Sequence, residues 1–212
     1  MGTGLTVAVL ALVAVRLVLA ARVAWSAQGR RRSARIVSGL RWHHLAPVPV
    51  VLAAVLAVAT VLVAVPGLDW GWWSALGGDG NPAFGATSAT AGTAWEWLIP
   101  LVFIGLLAPA LPLFAEAEER TFRRGAQGWS WQRRTTKTVS FGLVHALIGI
   151  PVGVALALSV GGAYFLARYL RCWRRGHSED QAVAESTRAH LAYNLVILTL
   201  VLIWAIVVPF VD

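Results

Sequence analysis

The chain has 212 residues, of which 58% are apolar or aromatic and only 13% charged, with a mean hydropathy of +0.67. Soluble domains carry about 25% charged residues, so this composition excludes a water-soluble globular fold and points to a bilayer as solvent. A net charge of +8 would suit a nucleic-acid binder, but the basic residues are grouped between apolar runs, which makes them topology signals instead. The expectation is an all-α, polytopic membrane helix bundle whose partners are the lipid bilayer and other membrane-associated chains, with no nucleic acid.

In chain order, the first apolar run is Leu5 to Trp25, the second Pro47 to Val65 and the third Trp97 to Phe114. Each has roughly the 20 residues that a hydrocarbon core of about 30 Å requires. Positive charge follows the first run (Arg30, Arg31, Arg32) and does not precede it, the reverse of a cleavable signal, so the run is expected to stay as an anchor. Thr138 to Leu170 is mostly apolar but as one helix would be about 50 Å long, too long for a single crossing. Gly149, Pro151 and Gly153 mark the expected break, giving a short helix over 138–149 and a longer one over 152–172. The last span is predicted over Ala189 to Phe210, with Glu185 and Ser186 as helix-start residues. Six helical segments result. They divide into two amino-terminal helices (1–66), an external Trp- and Gly-rich loop (67–96) and a carboxy-terminal helix bundle (97–212).

Orientation follows from the eighteen Lys and Arg residues, which concentrate in 26–44, 115–137 and 168–188, with none between 42 and 119. The loop 67–96 holds Asp69, Asp79 and Glu96 and no basic residue, so the positive-inside rule places it outside and the basic loops in the cytoplasm. Both termini then lie outside. The break near Pro151 must supply an even number of passes, as a shallow hairpin or as two tilted crossings. The expected location is the plasma (inner) membrane of a bacterium, since one Lys among eighteen basic residues is the composition of a high-GC genome. Trp70, Trp72, Trp73 and Trp95 are read as an interfacial aromatic belt, and the Gly77 to Gly92 loop as loosely packed. His43 and His44 are read as interfacial, Arg16 as a charge that either snorkels or finds a buried partner that the sequence does not name, and the single cysteine, Cys172, as a bystander thiol that excludes a disulfide within the chain and any multi-cysteine metal site.

Ionisable groups near a bilayer are costly enough to be functional candidates by default. Three segments hold them. Glu118 and Glu119 lie at the inner end of the third run, with Glu119 four residues before Arg123 on one helical face. Adjacent carboxylates in a low dielectric suit general-base chemistry. His145 lies inside an apolar run, four residues after Phe141. His190 and Asn194 are one helical turn apart and face one point, a pairing that can bind a metal or hydrogen-bond an oxyanion. Each segment also has a structural explanation, a solvated juxtamembrane charge cluster for Glu118 and Glu119 and interhelical hydrogen bonding for the two histidine segments, but all three fall toward the same half of the membrane.

Taken in order, Glu118-Glu119-Arg120-Thr121-Phe122-Arg123, Phe141 to His145 and His190 to Asn194 resemble the three motifs of the CPBP intramembrane proteases, the CAAX protease and bacteriocin-processing (Abi) family related to the type II CAAX prenyl endopeptidases. The resemblance covers residues 114–200. It implies hydrolysis of a membrane-associated peptide or protein substrate in a cavity open to the cytoplasmic leaflet. Glu118 would activate water with help from His145, His190 and Asn194 would stabilise the oxyanion, and Glu119, Arg123 and Phe141 would brace the site. No cofactor is expected. The alternative is zinc held by Glu118, His145 and His190, ranked second because the chain lacks the His-Glu-x-x-His spacing and asparagine is a poor zinc ligand. A rival of another class is a non-enzymatic accessory, assembly or immunity protein whose polar cluster binds a partner helix.

Overall fold

The computed structural model describes residues 2–72 and 92–207, with side chains for 11–72, 92–96 and 98–203. These residues form an all-α bundle: α1 (Gly2–Trp25), α2 (Ala27–Ser38), a single turn α3 (Trp42–Leu45), α4 (Val48–Val63), α5 (Trp95–Phe122), α6 (Trp131–Leu143), α7 (Val152–Arg174) and α8 (Glu179–Val207). Four helical stretches, Trp42–Val63, Leu98–Gly128, Val152–Arg174 and Glu179–Ile203, are long and apolar enough to cross a membrane, and a fifth is reached only if the bent pair α1–α2 is counted as one span. The protein is a multi-pass membrane protein. Asp79, Trp73 and most of the 77–92 loop, together with Phe210 and Asp212, lie outside the described residues.

α7 is the central helix, packed against α4, α6 and α8, while α5 lies against α8 and α1 lies outermost on α5. Without a hydrophobic driving force between helices in lipid, close approach depends on small side chains. The buried face of α7 supplies them: Gly153, Ala155, Ala157, Gly161 and Gly162. Val48, Val55, Phe141, Phe165 and Tyr193 fill the space they leave. Among the described residues, a Cβ added to Gly142 of α6 would stand 2.3 Å from the Ala155 carbonyl oxygen, whereas one added to Gly161 would meet nothing closer than the Phe165 ring at 3.9 Å. Gly142→Ala is therefore expected to lower stability by about 1–3 kcal/mol through overpacking. Gly161→Ala should be close to neutral, and thermal unfolding of the detergent-purified variants checks the contrast.

The predicted break is present and has a clear cause. α6 stops at Leu143, a 3-10 turn over Val144–Ile148 follows, and Gly149 takes φ +91°, a conformation that non-glycine residues rarely adopt. Pro151 then stands at the N-cap of α7. Here the backbone N–H groups of Val152 and Gly153 donate to the carbonyls of Trp70 (3.0 Å) and Leu68 (2.6 Å), and Trp72 Nε1 donates to the Leu147 carbonyl at 3.2 Å. The break thus lies beside the segment that follows α4.

Three expectations need correction. The last helix begins at Glu179, six residues before the predicted helix start at Glu185, because Ser178 and Gln181 form a reciprocal cap: Gln181 N–H donates to Ser178 Oγ (3.3 Å) and Ser178 N–H to Gln181 Oε1 (2.8 Å). Glu185 and Ser186 are consequently inside the helix. α6 begins at Trp131 rather than 138, capped by Ser130, whose Oγ accepts from Arg133 N–H. The basic segment after α1 is itself a helix, α2, bent 81° from α1.

Candidate functional site

Glu119 sits one turn before the end of α5 and is fully buried. A carboxylate in that position is tolerable only if its oxygens are supplied with donors. His190 Nδ1 lies 3.0 Å from Oε1, Ser186 Oγ contacts Oε2, and Arg123 Nε is 3.5 Å from Oε2. The serine hydroxyl also lies 2.9 Å from the Phe165 carbonyl, which ties α5, α7 and α8 together at one atom.

Arg123 is buried too. Its Nη2 donates to the Gly162 carbonyl at 3.0 Å, and its guanidinium carbon stands 4.2 Å over the Phe141 ring. The guanidinium fits because residue 162 has no side chain: a Cβ there would lie 3.1 Å from Nη2 and 2.8 Å from the Phe141 ring. Gly162 is 12 residues from the Arg174 end of α7, about 18 Å along the helix, so the site is well inside the bundle.

His190 stacks on Phe165 with ring centroids 4.4 Å apart at 21°, and meets Phe141 edge-on at 5.4 Å. Because the Glu119 carboxylate accepts from Nδ1, the neutral ring carries its proton there and Nε2 presents a lone pair. That nitrogen faces Glu118 Oε2 at 3.7 Å. Glu118 has a different environment from its neighbour: its side chain is 33% exposed, and Oε2 is buried without a hydrogen-bond partner.

His145 lies in the 3-10 turn, not within a helix as expected, and its Nδ1–H donates to the Phe141 carbonyl at 2.9 Å. Its ring is 5.3 Å from Phe141. All three predicted motifs therefore meet around Phe141, which touches Arg123, His145 and His190. The imidazole facing Glu118 is that of His190, while the resemblance had given this place to His145. Asn194 lies one turn beyond His190 on α8, half-buried, and makes no hydrogen bond among the described residues.

Sequence reasoning missed Ser186, although Ser186, His190 and Asn194 repeat every four residues and so share one face of α8. It also missed a second polar cluster. His44, expected to be interfacial, is 1% exposed, and its Nε2 donates to Glu185 Oε2 at 3.0 Å; His43 Nε2 is 3.3 Å from Oε1, and Arg168 donates to the same oxygen. Among the described residues, His43, His44 and Glu185 alone bring three potential metal-ligating atoms within 4.8 Å of one another. The hydrogen bonds argue against a metal there. The Arg41 backbone N–H donates to His44 Nδ1 at 2.9 Å, which leaves the ring proton on Nε2, the nitrogen a metal would need, and Arg168 already supplies positive charge. The cluster clips α3 to α7 and α8. Arg16 is exposed on α1, with no partner among the described residues, as a lipid-facing or snorkelling charge would be.

Glu118, His145 and His190, the residues named for zinc, do not all bring a ligating atom within 4.8 Å of one another. As placed, they do not fit a shared ion. No protein-family model, curated protein or solved structure matches this chain.

Proposed function

We propose that the protein is a glutamate-dependent intramembrane endopeptidase of the CPBP type, its basic end facing the cytoplasm and both termini outside. The observation that carries this reading is the asymmetry of the two adjacent carboxylates. Glu119 is locked in a buried network that holds His190 in one tautomer, and Glu118 is partly open and unpartnered opposite His190 Nε2. Two acceptors cannot hydrogen-bond to each other, and at 3.7 Å apart they suit one water molecule donating a hydrogen to each, about 2.8 Å from both.

Such a water has its oxygen lone pairs free to attack a peptide carbonyl. As the new C–O bond forms, its proton passes to Glu118, and the carbonyl oxygen becomes an oxyanion within reach of a donor such as the Asn194 side-chain amide. Collapse of the tetrahedral intermediate breaks the C–N bond, Glu118 returns the proton to the leaving amine, and the products are an acid and an amine. His190 orients the water, and Glu119 stabilises any positive charge that His190 acquires, as the buried carboxylate does for histidine in a catalytic triad. Arg123 and Ser186 keep Glu119 in place.

The test is the terminome of the membrane fraction from cells carrying wild type, Glu118→Gln or a deletion. If hydrolysis is the function, the same membrane-protein termini vanish in Glu118→Gln and in the deletion, and they name the substrate. If the termini persist and only the deletion has a phenotype, the cluster binds a partner helix and the catalytic reading fails. Hydrolysis by the purified protein is expected to survive dialysis against a chelator. Loss of activity that zinc restores would overturn the metal-free mechanism.

A further inference from the structure

We infer that α2 is a binding surface for anionic phospholipid headgroups, held in the plane of the membrane at the basic end of the bundle. The 81° bend after Trp25 sets its direction: with α1 near the membrane normal, α2 lies close to the membrane plane. The bend is built in. Ser26 Oγ accepts from Gly29 N–H at 3.0 Å and donates to the Val23 carbonyl at 2.7 Å, and Gly29 is so close to α1 that a Cβ would lie 1.9 Å from the Val23 oxygen.

The helix has two faces with distinct fates. Gly29, Arg32 and Ile36 turn toward the bundle, where Arg32 donates to Glu116 of α5 at 2.8 Å and Ile36 packs on Leu111, Ala115 and Leu191. The opposite face carries Arg30, Arg31 and Arg35, all exposed, around the small residues Ala27 and Ala34. Ala27, Arg30, Arg31 and Ala34 form a nearly flat, open patch there. No acidic residue occurs from 26 to 44, and neither Arg31 nor Arg35 has a partner among the described residues.

Charge alone would attract any anion, but the flanks select a bilayer. Trp25 precedes α2 and Trp42 follows it, 63% and 77% exposed respectively, and exposed tryptophan is the side chain that settles at the headgroup level. Three guanidiniums between two interfacial indoles, on a helix lying across the bundle axis, match a row of lipid phosphates in geometry as well as in sign. Each arginine near an anionic surface contributes roughly a fivefold preference, so the three together amount to roughly a hundredfold.

The experiment is native mass spectrometry of the full chain released from vesicles of phosphatidylcholine with 20% phosphatidylglycerol, counting bound lipid of each class. Arg30→Gln/Arg31→Gln/Arg35→Gln is compared with a control of equal charge loss at the same end, Arg171→Gln/Arg174→Gln/Arg175→Gln. Both leave Arg32 and Ile36 intact, and matched thermal unfolding verifies the fold. Expected is selective loss of phosphatidylglycerol from the α2 variant, with phosphatidylcholine unchanged and the control resembling wild type. Equal loss in both variants, or no loss from the α2 variant, would overturn the assignment.

Discussion

Replacing Glu118 with glutamine is expected to reduce peptide hydrolysis by about 10²–10⁴-fold while leaving the unfolding temperature within about 1 °C of wild type. Glu118 is partly exposed and its Oε2 has no hydrogen-bond partner, so an isosteric amide removes the proton acceptor without breaking a hydrogen bond. Glu119→Gln should behave differently. It removes charge from an oxygen pair that receives His190, Ser186 and Arg123, and it releases the His190 tautomer, so activity and stability fall together. A purified-protein assay on a substrate found from the terminome, run beside thermal unfolding, separates the two. Equal loss of stability in both variants would mean that Glu118 is a structural residue.

Replacing Arg123 with methionine is expected to cost about 3–5 kcal/mol of stability, the largest structural effect of any substitution considered, because it leaves the Glu119 carboxylate buried without its cation. The double variant Arg123→Met/Glu119→Gln should recover much of that loss, since the uncompensated charge is then gone. Denaturant unfolding in mixed micelles, arranged as a double-mutant cycle, measures the coupling. Independent, additive losses would show that the pair does not act as a unit.

Much of the bundle could be read from the sequence because a bilayer imposes few solutions: spans of about 20 apolar residues and a break where glycine and proline cluster. The break at Gly149 and Pro151 is such a case, and so is the convergence of Glu119, Phe141 and His190. What escaped was local chemistry overridden by a composition argument. The start of α8 was sought where the polar segment gives way to apolar residues, although Ser178-Glu-Asp-Gln181 is a capping box in plain view. α2 was hidden because its arginines read as a topology marker, and a basic segment can also be an amphipathic helix. His44 could not have been placed from sequence, since its partner Glu185 lies 141 residues away.

The α6–α7 hairpin bears on how the chain enters the bilayer. α6 contains Arg133, Arg134 and Lys137, and among the described residues it is not one of the helices apolar enough to cross alone. Partitioning of α6 by itself would be unfavourable, and only the hydrogen bonds and helix contacts at its turn and along α7 make its position stable. If the hairpin makes two passes, α6 is expected to stay out of the hydrocarbon until α7 has been synthesised, the two then entering as one unit. A ribosome-stalled chain ending near residue 150 should accordingly keep the Phe141 end of α6 accessible to water-soluble labels, and a chain extended past Arg174 should hide Phe141 and Gly142.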